Sequence, residues 1–511
     1  MKKSVLVSLC LAAITACQSP TKPTPEATTF RKPASADELI EGSRKVLADL
    51  SNPQIFNPGT CATFVNGLTD YLYRLPADHF VPKTPQEIEK FKAEGVQIVD
   101  TIFQIRVTLR ERMQEFDSRN ELPAACIQKV REGIQYARYA EEYVLEWLYQ
   151  NKVLEFVEKP ILTNEKPNTW TNSRFAGFTL KTGDAMLIRG KSHVSAMIAR
   201  IGDEEGNFSH LAIIGENSKG EKYVVESLIQ KGVIVTPLEK WRQDKDARVA
   251  LYRQPDEELG RKAGRKIYEI AKAALDKGAA IRYDFAMNDD DYSALFCSEV
   301  IRMAYDKATD GQYIIPKYRS GATKFKGTDY LKSLGVLKDS LFAPYDMEVD
   351  PRFDFVAEFR YYPLLRQVRM QDAVLQSVYD WMIQKKYKYT ASLGQTSKAY
   401  LAKFLRQFGV LEDTLPKYMP MNSIKTNVQF EAVAKVLEKN IYEKEQIFYK
   451  EKGYLPTFTD MLAFNEDFRR FDCKRYEAYE ELKRKHLPFM PPPRDLSQIH
   501  WFFSPEGSCS K

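Results

Sequence analysis

The stretch from Tyr283 to Tyr305, YDFAMNDDDYSALFCSEVIRMAY, sets a single thiol where it can do chemistry. Upstream of Cys297 lie polar turn residues, Asn288 to Asp291, and a short apolar approach, Ala294-Leu295-Phe296. Downstream, Val300, Ile301, Ala304 and Tyr305 recur at the spacing of one buried helical stripe. The pattern predicts a helix opening just after Cys297. Unpaired N–H groups and the positive dipole end would then lie near the sulfur and favour the thiolate, which is the nucleophilic form. This stretch alone leaves a second reading open, a cysteine buried in the core.

The elements needed to hold partners for Cys297 begin at Phe178, where the hydrophobic period changes. Leu180 to Asp184 reads as a turn entering a strand at Ala185 to Ile188. β-rich runs follow at Asn207 to Ile214, Lys222 to Leu228, Gly232 to Val235 and Ala247 to Tyr252, separated by turn residues. One amphipathic helix, Leu259 to Lys277, turns Leu259, Ala263, Ile267, Ile270 and Ala274 inward and stops at Gly278. The predicted fold class is α+β: a small antiparallel β-barrel with packed helices, flanked by N-terminal and C-terminal helical regions.

The blocks GDAMLIRG, FSHLAII, KYVVESL, GVIVTPLEKW and YDF…FCSEVI succeed one another in an order and spacing that resembles the permuted papain-like amidase family of YaeF/YiiX type, related to NlpC-type cell-wall peptidases. The resemblance covers about residues 178–355. It implies a papain-like fold in which the histidine and its polar partner precede the cysteine. Carried over by motif, it assigns the nucleophile to Cys297, the base to His210 of FSHL and the orienting acid to Glu226 of VVES. The chemistry is coherent: an imidazole takes the thiol proton and later returns one to the leaving group, while a carboxylate fixes its tautomer. Consecutive strands would bring His210 and Glu226 to about 5 Å across a ladder. A satisfied core histidine and a solvated strand carboxylate are the alternatives for these two. Asp184, Tyr283 and Asp284 are pocket candidates, with turn roles as alternatives for Asp184 and Asp284. His193, in GKSHVSAMI, falls off the histidine motif and reads as a loop or helix-start residue; His79 reads as surface.

At the N-terminus, Met1-Lys2-Lys3, the apolar Val5 to Ala13 and Ile14-Thr15-Ala16-Cys17 resemble a bacterial lipobox, which implies cleavage before Cys17 and its acylation. No other stretch reaches the length of a membrane span. The expected order is a signal peptide (1–16), a lipidated Cys17 with a Pro/Thr-rich tether (17–34), an N-terminal helical bundle (35–165), a papain-like domain (170–362) and a C-terminal helical region (363–511). In the bundle, Ile98, Ile102, Ile105, Leu109, Met113 and Phe116 mark one helix, and Ile127, Val130, Ile134 and Ala137 another. Beyond Pro363, helical stripes appear at Leu365 to Tyr387, Ser397 to Phe408, Val428 to Lys452 and Glu477 to His486. The expected location is the bacterial envelope, facing the periplasm. Gln18 after the lipidated cysteine favours the outer membrane by resemblance to sorted lipoproteins.

Seven cysteines less Cys10, lost with the signal, and the lipidated Cys17 leave five. In an oxidising compartment the regional pairing Cys61–Cys126 and Cys473–Cys509 leaves Cys297 free. A net charge of +6 over 511 residues, with both signs interleaved, argues against a nucleic-acid partner. No calcium loop, His pair at i, i+4, P-loop or dinucleotide fingerprint occurs, so neither a metal nor a cofactor is expected. Three functions compete. A thiol hydrolase would cleave an amide in peptidoglycan peptides or an acylated small molecule; an acyltransferase on a lipid-like substrate would share its covalent step; a non-catalytic envelope scaffold would need neither.

Overall fold

In the computed structural model the described residues are 30–154, 159–163, 169–171, 174–326, 330–336, 338–389, 419–486, 499–505, 507 and 509. The expected lipobox with Cys17 and the expected helix Ser397 to Phe408 lie outside them. The helices Pro85–Ser118 and Ala124–Gln150 form where the apolar stripes predict them. Thr84 opens the first with a reciprocal capping box to Glu87, which satisfies two orphan N–H groups. Cys61, opening the helix Cys61–Leu68, is bridged to Cys126, with Cα atoms 5.4 Å apart.

The sheet contains β1 (Lys159–Thr163), β2 (Thr169–Thr171), β3 (Ala185–Arg189), β4 (His210–Glu216), β5 (Lys222–Leu228), β6 (Gly232–Pro237), β7 (Arg248–Arg253) and β8 (Asp354–Arg360). Their order is β2-β1-β8-β7-β3-β4-β5-β6, antiparallel throughout. The fold is therefore mixed helix and sheet. The expected small closed barrel does not appear among the described residues: the row is open, with β2 and β6 as its ends. The physical reason is β8. It pairs along β7 from Asp354↔Arg253 to Arg360↔Arg248 and carries β1 on its other edge, so the sheet extends outward where closure was expected.

Alternation along the strands divides the sheet into two apolar faces. Leu187, Leu211, Ile213, Val225 and Ala250 pack with Ala263, Ile267, Val300 and Ala304 of the helices Glu257–Asp276 and Glu299–Ala308. Met186, Ile188, Ala212, Val224 and Val249 pack with Phe175 and Trp241 on the other side.

The helical regions are joined to this sheet by buried charge. Arg106 donates to Glu141 at 2.6 Å and Glu358 at 2.8 Å, and Arg138 donates to Glu358 at 2.9 Å. Arg360 pairs with both carboxylates. All five side chains are at most 1% exposed. Farther along the sheet, Asp372 receives Arg189 at 2.8 Å and Arg200 at 2.9 Å. These guanidinium groups hold Asp372 down to about 2 against the opposing effect of burial.

The helix Tyr362–Gln384 supplies Asp372, and the chain continues through Met421–Lys452 and Phe458–His486. The expected helix to Tyr387 ends early, because Tyr387–Tyr389 pairs instead with Phe503–Pro505. Beside that pair, Cys473 and Cys509 are bridged, Cα atoms 5.7 Å apart. Cys297 is free, as the pairing expects.

Candidate active site

Cys297 stands two residues before the helix Glu299–Ala308, at its positive end. Two contacts fix the segment ahead of it. The Phe296 N–H donates to the Glu299 carboxyl at 2.7 Å, and the Ser227 hydroxyl donates to the Leu295 carbonyl at 2.7 Å. Ser227 thereby ties the cysteine's approach directly to β5, next to Glu226. Burial, with repulsion from Asp284 and Asp289, pushes the Glu299 carboxyl up to about 8, so it serves as a mostly neutral acceptor under the nucleophile.

His210 is the first residue of β4 and Glu226 the fifth of β5. The ladder sets Ala212, not His210, opposite Glu226. The pair is thus a diagonal one on a single face, within the reach of two long side chains. His210 Nε2 meets Glu226 Oε2 at 2.7 Å. Cys297 lies close enough to the imidazole to act on its charge. With Nε2 committed to Glu226, Nδ1 is the nitrogen available to sulfur. Burial disfavours the imidazolium, but Cys297 and Glu226 outweigh it and push His210 up to about 10. The Cys297 thiol also points at the Ser209 carbonyl, 3.8 Å away.

These groups open onto a cavity of about 580 Å³. Its far wall was not anticipated from sequence. Arg174 stacks over the Trp241 ring, 3.7 Å from its centroid, and pairs with Asp246. Ser227 was legible, since it sits inside the VVES block; Arg174 and Asp246 carried no local signal.

Tyr283 lines the cavity, packed on Phe296 at 5.6 Å between ring centroids. Asp184 and Asp284 do not line it. Asp184 is buried against Arg253, with bonds of 2.7 and 2.9 Å, and caps the Lys181 N–H at 2.6 Å. Asp284 accepts the N–H groups of Ala286 and Asn288 at 2.8 and 2.5 Å, closing the turn of its own loop. His193 opens the helix His193–Ile198 and bonds Glu438 at 2.8 Å and Glu431 at 3.3 Å. His79 is half-buried, not a surface residue, because its Nδ1 is 2.7 Å from the Pro33 carbonyl oxygen. The three potential metal ligands that converge among the described residues are Cys473, His500 and Cys509, but the two sulfurs are joined to each other.

A thiol, an imidazole and a carboxylate, set on a strand pair and a helix start, are the groups that nucleophilic catalysis by a cysteine requires. Residues 179–320 match the family described as permuted papain-like amidase enzyme, YaeF/YiiX, C92 family. That match supports a hydrolase of cysteine amidase type for this segment. Among solved structures, the metalloprotein yiiX of Escherichia coli O157:H7 is similar, with 19% identity and a TM-score of 0.26; the alignment covers 34% of this chain and 94% of that one. No curated protein matches the chain.

Proposed function

We propose that the protein is an envelope-anchored cysteine hydrolase that cleaves an amide bond through an acyl-cysteine intermediate. The observation that carries this reading is the convergence of Cys297, His210 and Glu226 at the wall of one cavity. The Cys297 proton passes to His210 before the attack; sulfur then bonds to the carbonyl carbon and the C=O electrons move to oxygen. The imidazolium, held by Glu226, then protonates the departing amine as the C–N bond breaks. In the second half, His210 deprotonates water, which attacks the thioester and releases the acid. Because His210 keeps its proton up to about pH 10, it is a competent general acid at neutral pH.

Peptidoglycan peptides and acylated small molecules both present such a bond in the envelope. The anchor part of the proposal rests on the lipobox ending at Cys17.

Three experiments test the proposal. Iodoacetamide at neutral pH should label Cys297 in the folded protein, and Cys297→Ser or His210→Ala should lower turnover by about 10³ or more. Failure to label, or full activity in either variant, removes the hydrolase reading. Intact mass of protein from its native host should show a start at an acylated Cys17; a retained signal refutes the anchor.

A further inference from the structure

We infer that the Cys297 site takes short unbranched acyl groups, seated in an apolar pocket that the C-terminal helical region completes. The inference rests on the hydrolase reading and names its substrate class.

Beside the cavity that holds Cys297 lies a second, smaller pocket of about 70 Å³. The two share Val194, Ile198, Ile229, Tyr283, Met419 and Asn427, so they lie side by side. Its inner wall includes Phe296, the residue before the nucleophile, and Phe285, whose ring packs on Tyr283 at 5.1 Å. Ser423 is one of the few polar residues on the wall, and its hydroxyl is occupied by the Leu334 carbonyl at 3.1 Å. The rest of the wall is mostly apolar, so a polar substituent entering here would lose more water contacts than the few polar groups replace.

The size selects among apolar groups. An apolar cavity of about 150 Å³ is what accommodates benzene. The pocket at 70 Å³ is under half of that, which excludes an aromatic ring and admits an extended chain. A carbonyl carbon bonded to Cys297 has two substituents, the acyl group and the leaving group. Apolar walls lie on one side of it. Arg174, Asp244 and Asp246 line the main cavity and not the smaller pocket, which suits a polar leaving group and incoming water.

The Met421–Lys452 helix contributes Ser423 and Asn427, and Met419 stands just before it. All three lie outside the matched segment 179–320. His193 bonds Glu438 of that helix at 2.8 Å, which pins it to the helix His193–Ile198 forming the opposite wall. The chain thus gives its C-terminal helices a role in substrate choice.

The test compares kcat/KM of the full-length protein on p-nitrophenyl acetate, hexanoate and palmitate. Each methylene buried is worth about fourfold, so three or so buried methylenes favour hexanoate over acetate by about 50-fold. Palmitate should fall below hexanoate because its chain overruns the pocket. Ile198→Phe and Asn427→Phe fill the pocket from opposite walls, and each should lower the hexanoate-to-acetate ratio at least tenfold, with folding checked by circular dichroism.

Cys297-dependent turnover with no chain-length preference overturns the acyl pocket and leaves the hydrolase reading standing. So does a preference for palmitate, or a ratio that neither variant moves. Absence of Cys297-dependent turnover on every ester overturns both readings together.

Discussion

Replacing Glu226 by Gln removes a charge while keeping an acceptor for His210. The bond is short, 2.7 Å, with side chains 18% and 10% exposed, so it is shielded from bulk water. Hydrogen bonds to a charged group contribute about 1.5–3 kcal/mol and neutral ones about 0.5–1.5. The difference, about 1–1.5 kcal/mol, corresponds to a loss of roughly 5- to 15-fold in kcat/KM. The pH profile gives a more specific signature. Glu226 is one of the groups that raise His210 to about 10, so its neutralisation lowers that value toward the ordinary 6.5. Activity that needs the imidazolium as acid is lost above the His210 pKa, so the alkaline limb should move to lower pH in Glu226→Gln. The same raised pKa stabilises the fold fully below about pH 6.5 and is lost as pH rises toward 10. A pH–rate profile on a Cys297-dependent substrate measures the rate loss and the shift of the limb, and denaturation at several pH values measures the stability. A Glu226→Gln variant as inactive as His210→Ala, or one whose alkaline limb does not move, refutes the assigned role.

His193→Ala should leave turnover of a short ester within about threefold, since its ring faces Glu431 and Glu438 and not Cys297; a loss comparable to His210→Ala would reverse the choice of histidine. Its pKa, raised to about 9 by those two carboxylates, predicts that wild type exceeds this variant in stability most below pH 6.5. The gap should close as pH rises toward 9, as chemical denaturation at several pH values will show. Glu358→Gln leaves Arg106, Arg138 and Arg360 short of a buried counter-charge and should cost about 3–5 kcal/mol by urea denaturation; a change under 1 kcal/mol would mean the cluster is hydrated. Loss of the Cys61–Cys126 bridge, which spans a separation of 65 residues, should destabilise by about 4 kcal/mol in the chain-entropy model, seen as a lower midpoint in the Cys61→Ala/Cys126→Ala protein.

Local pattern by itself determined the helix start after Cys297, the strands that carry His210 and Glu226, and the paired long helices of the N-terminal region. Each depends on a hydrophobic period readable within a dozen residues, and the motif order added the roles. Regional position was enough to pair the cysteines, because each bridge closes within one helical region. Tertiary structure alone decided the rest. The offset between His210 and Glu226 is a matter of ladder register, which strand sequences do not print. The open sheet follows from β8 reaching β7 across a hundred residues, where the local signals suggested closure. Nothing local marks Arg106, Arg138, Glu141 and Glu358 out in a sequence rich in both signs. They are buried because their partners arrive from distant elements, and neutralisation at contact distance offsets the cost of leaving water. The same holds for Asn427 beside the cavity of Cys297: only the packing of a helix more than a hundred residues away brings it there.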